Sequence, residues 1–508
     1  MKYRFYVCTV VVWALFCLHP PVGESKPKEI TLDYAIKQVI ENNFDIALSR
    51  IAVKIANEEK TEIESEFDLS LYANATTSTS KAPYISTSTT TYFDSLSTSD
   101  LVEFSITGKS VYGSTYSLGV ESGKTYTNPT INILDPMYIV GLKAEFVMPL
   151  LQGLGKDATL WKVRLAENKN SISLLKLKSR INDLTLKTEE TFWELVYAVE
   201  NLNVQNEFLD WAREWEKRVR MKVDVGLLPP IEIIQARASV ASREENVLAA
   251  NNRIDAMSDS LLQLINPPHT SVFWTDGIVP IDEPVPLDKS YDLNTNIEKA
   301  LSKRPELLIA KVEVKNKDIE MVYRRNQQLP EFDLIASVTL TGTRGNARTT
   351  DGYILDGTIN DALSDAISGE DYDYALGLQF VYPFGNRLAT AAKVKAKLEL
   401  ASVVLNIKKL EQNIIMETRA AIRQINFNKK QIIASKIARK LAEEKLTAEV
   451  SKFDVGLSTS FNVLEFQKDL AFEKSKELRA IVDYKKSTAY LKKSVGELLE
   501  SHGYLFEK

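Results

Sequence analysis

Few side chains in this sequence are spaced to do chemistry. Gly119-Val120-Glu121-Ser122-Gly123-Lys124-Thr125 has the glycine–lysine–threonine order of a phosphate loop, in which backbone amides and the lysine hold phosphates. It is one residue short between its glycines and sits in a strand-rich loop with no helix after it, so a nucleotide reading fails. The three histidines are His19, His269 and His502; no cluster of them suits zinc. Both cysteines, Cys8 and Cys17, fall in the first 25 residues. No spacing marks a nucleophile–histidine pair. The expectation is a protein that is not an enzyme, with no cofactor and no metal site.

The N-terminus reads as an export signal. Lys2 and Arg4 precede an apolar core over residues 7–18, and small or polar residues follow near Gly23 and Ser25. Cleavage there leaves a mature chain without a thiol, which suits an oxidising compartment and rules out a disulfide-stapled scaffold. No later run approaches the ~20 apolar residues of a membrane helix; the best stretch, 137–151, contains Lys143, Glu145 and Pro149. The net charge of −5 comes with no basic stripe, so nucleic acid is not an expected partner. An exported chain without a membrane helix can still enter a membrane as a barrel.

The elements that would position any site occur twice. Asp224-Val225-Gly226-Leu227 returns as Asp454-Val455-Gly456-Leu457, Glu66-Phe67-Asp68-Leu69 returns as Glu331-Phe332-Asp333-Leu334, and Pro149 answers Pro383. These echoes fall in order, so a half-molecule is duplicated: 1–25 signal, 26–266 first repeat, 267–290 connecting segment, 291–500 second repeat and 501–508 C-terminal tail. Each half opens on a helical pattern of about 35 to 38 residues, through Leu32, Ala35, Ile36 and Val39 in one and Ile297, Ala300 and Leu301 in the other. A period of two follows. Phe67, Leu69, Leu71, Ala73 and Ala75 oppose Asp68, Ser70, Tyr72 and Asn74, and Phe332, Leu334, Ala336, Val338 and Leu340 oppose Asp333, Ser337 and Thr339.

The strands that end at the two prolines alternate in the same way, at the length of a tilted barrel strand. Val102-Phe104-Ile106 and Tyr116-Leu118-Val120 predict a hairpin in the first long loop, and the spacing leaves open whether it joins the barrel. Long helices follow over about 156–225 and 388–455, with return helices over 230–265 and 460–499. Leu400, Val403, Ile407, Leu410, Ile414, Ala421, Ile425 and Ile432 form a coiled-coil-like seam, and Val404, Ile415, Ile422 and Ile433 beside it predict packing on a second side. Trp193, Trp211 and Trp215 read as interhelical packing. Gly226 and Gly456 suit the left-handed residue that ends a helix, and Pro229-Pro230 can open the next.

On the doubled half, the strand end Phe146-Val147-Met148-Pro149-Leu150 and the Gly226 and Gly456 turns, the chain resembles the TolC-type outer-membrane efflux proteins over nearly all of its mature length. The resemblance implies a mainly α protein with membrane β structure: a homotrimer with a 12-stranded barrel, four strands per subunit, continued by a periplasmic α-helical barrel. It implies a place in the outer membrane, in contact with its lipid and reaching into the periplasm, and a role in tripartite efflux or type I secretion. The implied partners are a periplasmic adaptor and an inner-membrane transporter. Two identical turns, each expected at the far end of a rod from the barrel, suggest that Val225, Gly226, Leu227, Val455, Gly456 and Leu457 form the adaptor-docking tip.

The family narrows its tunnel with acidic residues just beyond the second turn. The matching positions are Asn462, which departs from the pattern, and Glu465; after the first turn they are Glu232 and Gln235. Three carboxylates ~8 Å apart repel by only ~0.5 kcal/mol per pair in water, so such a ring would select ions while helix packing closes the tunnel. The competing expectation is a periplasmic coiled-coil adaptor or scaffold without a pore, which should carry one helical hairpin flanked by lipoyl-like and barrel modules. Drugs, metal ions, proteins and polysaccharide all remain open as substrates.

Overall fold

A computed structural model of the chain describes residues 28–85, 92–128, 134–285, 289–348 and 354–504; the export signal and the last residues of the tail lie outside them. Strand β1 (Lys28–Ile30) leads into α1 (Leu32–Asn42) and α2 (Phe44–Glu64), followed by strands β2 (Ser70–Ile85), β3 (Tyr92–Lys109), β4 (Thr115–Asn128) and β5 (Met137–Pro149). Helices α3 (Trp161–Asp224) and α4 (Ile231–Ile265) precede β6 (Ile278–Pro280) in the connecting segment. The second half runs α5 (Leu293–Lys303), α6 (Pro305–Asn326), β7 (Glu331–Gly345), α7 (Ile359–Ser368), β8 (Tyr372–Val381), α8 (Arg387–Asp454) and α9 (Ser460–Val495).

The opening helices are each broken, where the periodicity predicted one unbroken run. Asn43 turns extended (φ −67, ψ 130), its Oδ1 accepts from the Asp45 amide at 2.9 Å and its Nδ2 donates to the Leu264 carbonyl at 3.0 Å. Arg304 turns extended (φ −64, ψ 125) because Pro305 follows, and the proline then opens α6. Side-chain caps start the helices as well. Thr31 Oγ1 accepts from the Tyr34 amide at 3.2 Å, and Asp292 Oδ2 accepts from the Thr295 amide at 2.8 Å.

The described residues form two compact units. One comprises residues 53–173 and 309–407, the other the residues up to Ala52 with 174–308 and 408 onward. The first unit holds a six-stranded antiparallel sheet in the order β8-β7-β5-β4-β3-β2. Four strands per chain were expected. Six are present because the β3–β4 hairpin lies inside the sheet, and Phe67 belongs to a 3-10 turn before β2 rather than to its face. Register carries one apolar face across all six strands. Leu71 lies opposite Ile106, Ile106 opposite Leu118, Leu118 opposite Ala144, Ala144 opposite Val338 and Val338 opposite Tyr374. The next residues along put Tyr72, Ser105, Gly119, Lys143, Thr339 and Asp373 on the other face.

Helix α7 covers one end of the apolar face, where Ala362 and Ala366 pack on Val140. A Cβ on Gly342 would lie 1.9 Å from the Ala362 carbonyl oxygen, so only glycine permits this approach.

The second unit is helical. One apolar cluster joins Phe208, Trp215 and Val219 of α3 to Leu446 and Phe453 of α8 and Val463 and Leu470 of α9. Another joins Ile422 and Ile425 to Tyr484, Leu491 and Val495. The seam residues Ile414, Ala421 and Ile425 are buried, whereas Val404 and Ile433 on the second side are exposed in the single chain. The connecting segment is fastened by parallel pairing of β6 with β1, and Asp282 Oδ2 accepts from the Leu32 amide at 2.6 Å.

Candidate functional site

Both Asp-Val-Gly-Leu segments close a long helix with the same hydrogen bonds. In the first turn the Gly226 amide donates to the Val223 carbonyl at 2.9 Å and the Leu227 amide to the Lys222 carbonyl at 2.8 Å. In the second, Gly456 donates to Phe453 at 3.2 Å and Leu457 to Lys452 at 2.8 Å. This pair of bonds is the Schellman closure, which needs a left-handed residue at the glycine. Gly226 and Gly456 adopt φ 75 and φ 79. The flanking apolar side chains are left in water: Val225 is 70% exposed, Leu227 73%, Val455 70% and Leu457 79%.

Beneath the turns the two halves interlock. The Trp215 ring lies 4.7 Å from that of Phe453, and Trp215 Nε1 donates to Ser460 Oγ at 2.8 Å in a buried bond. Trp215 and Trp193 are buried, as the packing reading expects, and Trp211 packs against the same cluster as Trp215. The role of Ser460 had no sequence signal, because its partner lies in the other half. Lys222 Nζ reaches across to Asp454 Oδ1 at 3.2 Å and stands 4.3 Å from the centre of the Phe453 ring. Lys452 does not reciprocate; it pairs with Glu449 at 3.1 Å, and Glu449 also accepts from Ser458 Oγ at 2.6 Å. These bonds from Ser458 and Lys452 hold the Glu449 carboxyl below its ordinary value.

The expected constriction residues are not brought together within one chain. Glu232 lies in the first turn of α4, with Oε2 buried and unpartnered, as is Oε1 of Gln235. Asn462 serves the start of α9, where its amide donates to Thr459 Oγ1 and its Nδ2 to Ser458 Oγ, both at 3.4 Å. Glu465 is exposed and pairs with Lys468 at 3.3 Å, which offsets part of its charge. Among the described residues, no hydrogen bond or ion pair joins Glu232 to Asn462 or Glu465.

Two charged clusters were invisible in the sequence. Arg479 and Lys486 of α9 both reach Glu194 of α3, at 2.9 Å and 2.7 Å. Burial pushes the Glu194 carboxyl up, but these two cations outweigh it and hold the group below its ordinary value. His502 is not isolated, as its place in the sequence suggested. It lies between Asp33 at 3.1 Å and Glu189 at 3.3 Å. Burial disfavours its charge, yet the two carboxylates prevail and raise its pKa. Among the described residues no group of His, Cys, Asp and Glu could hold a metal ion, and no helix is long and apolar enough to cross a membrane.

The outer membrane efflux protein signature matches residues 296–497. The chain is 22% identical over 364 residues to the outer membrane protein TolC of Escherichia coli (strain K12), covering 68% of this chain and 71% of that protein. Among solved structures, the Campylobacter jejuni CmeC outer membrane channel matches with a TM-score of 0.64 at 16% identity, over 92% of this chain and 86% of that one. The outer-membrane channel OprN matches with a TM-score of 0.65 at 12% identity, over 92% and 90%.

Proposed function

We propose, from the match of residues 296–497 to the outer membrane efflux protein family and the 22% identity to TolC, that the chain is an outer-membrane efflux channel and that three copies serve a tripartite efflux or type I secretion system. Substrates enter from an inner-membrane pump, through a periplasmic adaptor, and leave to the exterior. The observation that carries this reading is the sheet with one exposed apolar face and two open edges, β2 and β8. In hydrocarbon an unpaired backbone group costs several kcal/mol, so such a sheet must close on further copies of itself. The exposed Val404 and Ile433 of α8 supply apolar surface for a neighbouring copy.

An adaptor without a pore fits poorly, because a wide sheet with an outward apolar face has no place in a scaffold that stays in water. Heat-sensitive trimers on gels, recovered in the outer-membrane fraction, are the expected result. A monomer that stays soluble without detergent overturns the proposal.

Val225, Gly226, Leu227, Val455, Gly456 and Leu457 form the docking tip. Their apolar side chains are held out by a rigid turn, which suits an apolar partner surface. Photo-crosslinkers at Val225, Leu227, Val455 and Leu457 should capture the adaptor in intact cells, and capture of none refutes the assignment. Glu465, repeated three times around the tunnel, sets cation preference, with Asn462 one helical turn before it and Glu232 in the first turn of α4. Glu465→Gln should change cation block or selectivity in planar bilayers while leaving assembly intact; unchanged conductance and block would remove Glu465 from the constriction.

A further inference from the structure

The β3–β4 hairpin spans the full height of the sheet, and its ends show this. Its turn is closed by the Ser110 amide donating to the Ser114 carbonyl at 2.7 Å. That turn is fastened at the edge of the sheet where β2 begins and β5 ends. The Gly155 amide donates to the Tyr112 carbonyl at 3.0 Å, and Lys109 pairs with Glu66 at 2.5 Å. The hairpin therefore runs away from the β2 end and back again, alongside strands of the same height. At 18 and 14 residues, β3 and β4 both exceed the ~9–11 residues of a tilted membrane strand.

Both faces of the hairpin continue its neighbours. Phe104, Ile106, Leu118 and Val120 are exposed and fall in register with Ala73 and Leu71 on β2 and with Leu142 and Ala144 on β5. The opposite face carries Glu103, Ser105, Thr107, Ser117, Gly119 and Glu121, with Ser117 opposite Glu145 and Gly119 opposite Lys143. A hairpin projecting into water above the membrane would have no reason to keep an apolar band aligned with those of the flanking strands. Hydrocarbon is the occupant that accounts for that band.

We propose that the hairpin is part of the barrel wall, so that three copies close an eighteen-stranded barrel whose exit passes bulky, hydrated solutes that a twelve-stranded exit would hold back. This rests on the trimeric channel reading above. Strands ~4.8 Å apart and tilted by ~40° give a backbone radius of roughly 18 Å for eighteen strands, against roughly 12 Å for twelve. The ions and hydroxyls of the inward face keep that bore wet. Size selection then falls to the helical part of the path, and the outer-membrane exit imposes little.

Both cysteines of the chain, Cys8 and Cys17, fall in the expected export signal, so single-cysteine variants of the processed chain report cleanly. In reconstituted bilayers Ser117→Cys should react with a membrane-impermeant maleimide, while a probe on Leu118→Cys should be quenched by lipid-borne quenchers and stay closed to the aqueous reagent. Graded poly(ethylene glycol) maleimides, added from outside, should reach Glu145→Cys in the full chain up to a larger size than in a chain lacking residues 92–128. That deletion joins the end of β2 to the start of β5, which lie at the same edge of the sheet, and the labelling pair decides the question even if the shortened chain fails to assemble. Aqueous labelling of both Ser117→Cys and Leu118→Cys, or equal polymer cut-offs, overturns the wall assignment. Absence of any trimer overturns the channel reading beneath it, and gel migration of the same samples tells the two failures apart.

Discussion

The two Asp-Val-Gly-Leu turns share a backbone and differ in what locks it. Five residues before each aspartate stands Val219 in the first half and Glu449 in the second; just after each leucine stands Leu228 or Ser458. Val219 is fully buried and Leu228 packs against the same apolar cluster. Glu449 and Ser458 instead share a 2.6 Å hydrogen bond. The four repeated residues dictate the reversal, since each glycine supplies a left-handed residue that others adopt at a cost. Two neighbouring positions decide whether the lock is apolar, and indifferent to pH and salt, or polar and sensitive to both. The docking surface proposed at these turns would therefore combine a firm side with a tunable side.

The largest way to break this comparison is Trp215→Ala. The ring is buried, and it packs against Phe453 at a tilt and bonds to Ser460, both beside the second turn. Truncation should cost about 3–5 kcal/mol. Hydrogen exchange should rise first over 451–460, with 221–228 following; equal opening of both turns would show that the locks are not separate.

Acid comes next. The folded pKa of Glu449 is depressed, so its stabilising contribution is present above the ordinary glutamate value and lost as pH falls through the folded one. Between pH 6 and 3 the second turn should gain exchange relative to the first, and Glu449→Gln should remove the difference. If both turns respond alike, the polar lock is not what holds the second. A smaller and symmetric effect is expected from Gly226→Ala and Gly456→Ala, each costing about 1 kcal/mol through backbone strain alone, since no atom lies within 4 Å of either Cβ position. Unequal costs, read from the same exchange experiment, would mean the backbone is not purely local.

Local features were the legible ones. Gly226 and Gly456 marked the turns, the alternation in 102–106 and 116–120 marked a hairpin, and the seam through Ile414, Ala421 and Ile425 marked a buried stripe. Arg304-Pro305 carries the signature of a helix break, but the apolar spacing that continues across it masks the break. Pairing between distant segments was not legible. Period-two patterning places a strand's faces but not its neighbours, so the hairpin's place in a six-stranded sheet depended on register with β2 and β5. The Trp215–Ser460 bond and the carboxylates around His502 join residues hundreds of positions apart in the chain. The proposed constriction is illegible for a further reason: in the proposed trimer, ions facing one another around a threefold axis belong to three chains.

The smallest expected effect is the most selective. Lys222 binds Asp454, but Lys452 turns to Glu449 and leaves Asp224 without an ion pair among the described residues. Asp454→Asn should loosen the second turn by about 0.2–1 kcal/mol, because the pair is partly exposed and pays side-chain entropy. Lys222 keeps its place over the Phe453 ring, which favours the lower end of that range. Asp224→Asn should change nothing measurable. Raising the salt to about 1 M shortens the screening length to roughly 3 Å and should erase the difference between the two variants. A persistent difference at high salt would assign the asymmetry to packing around Phe453 rather than to charge, and the tunable side of the tip would then answer to acid alone.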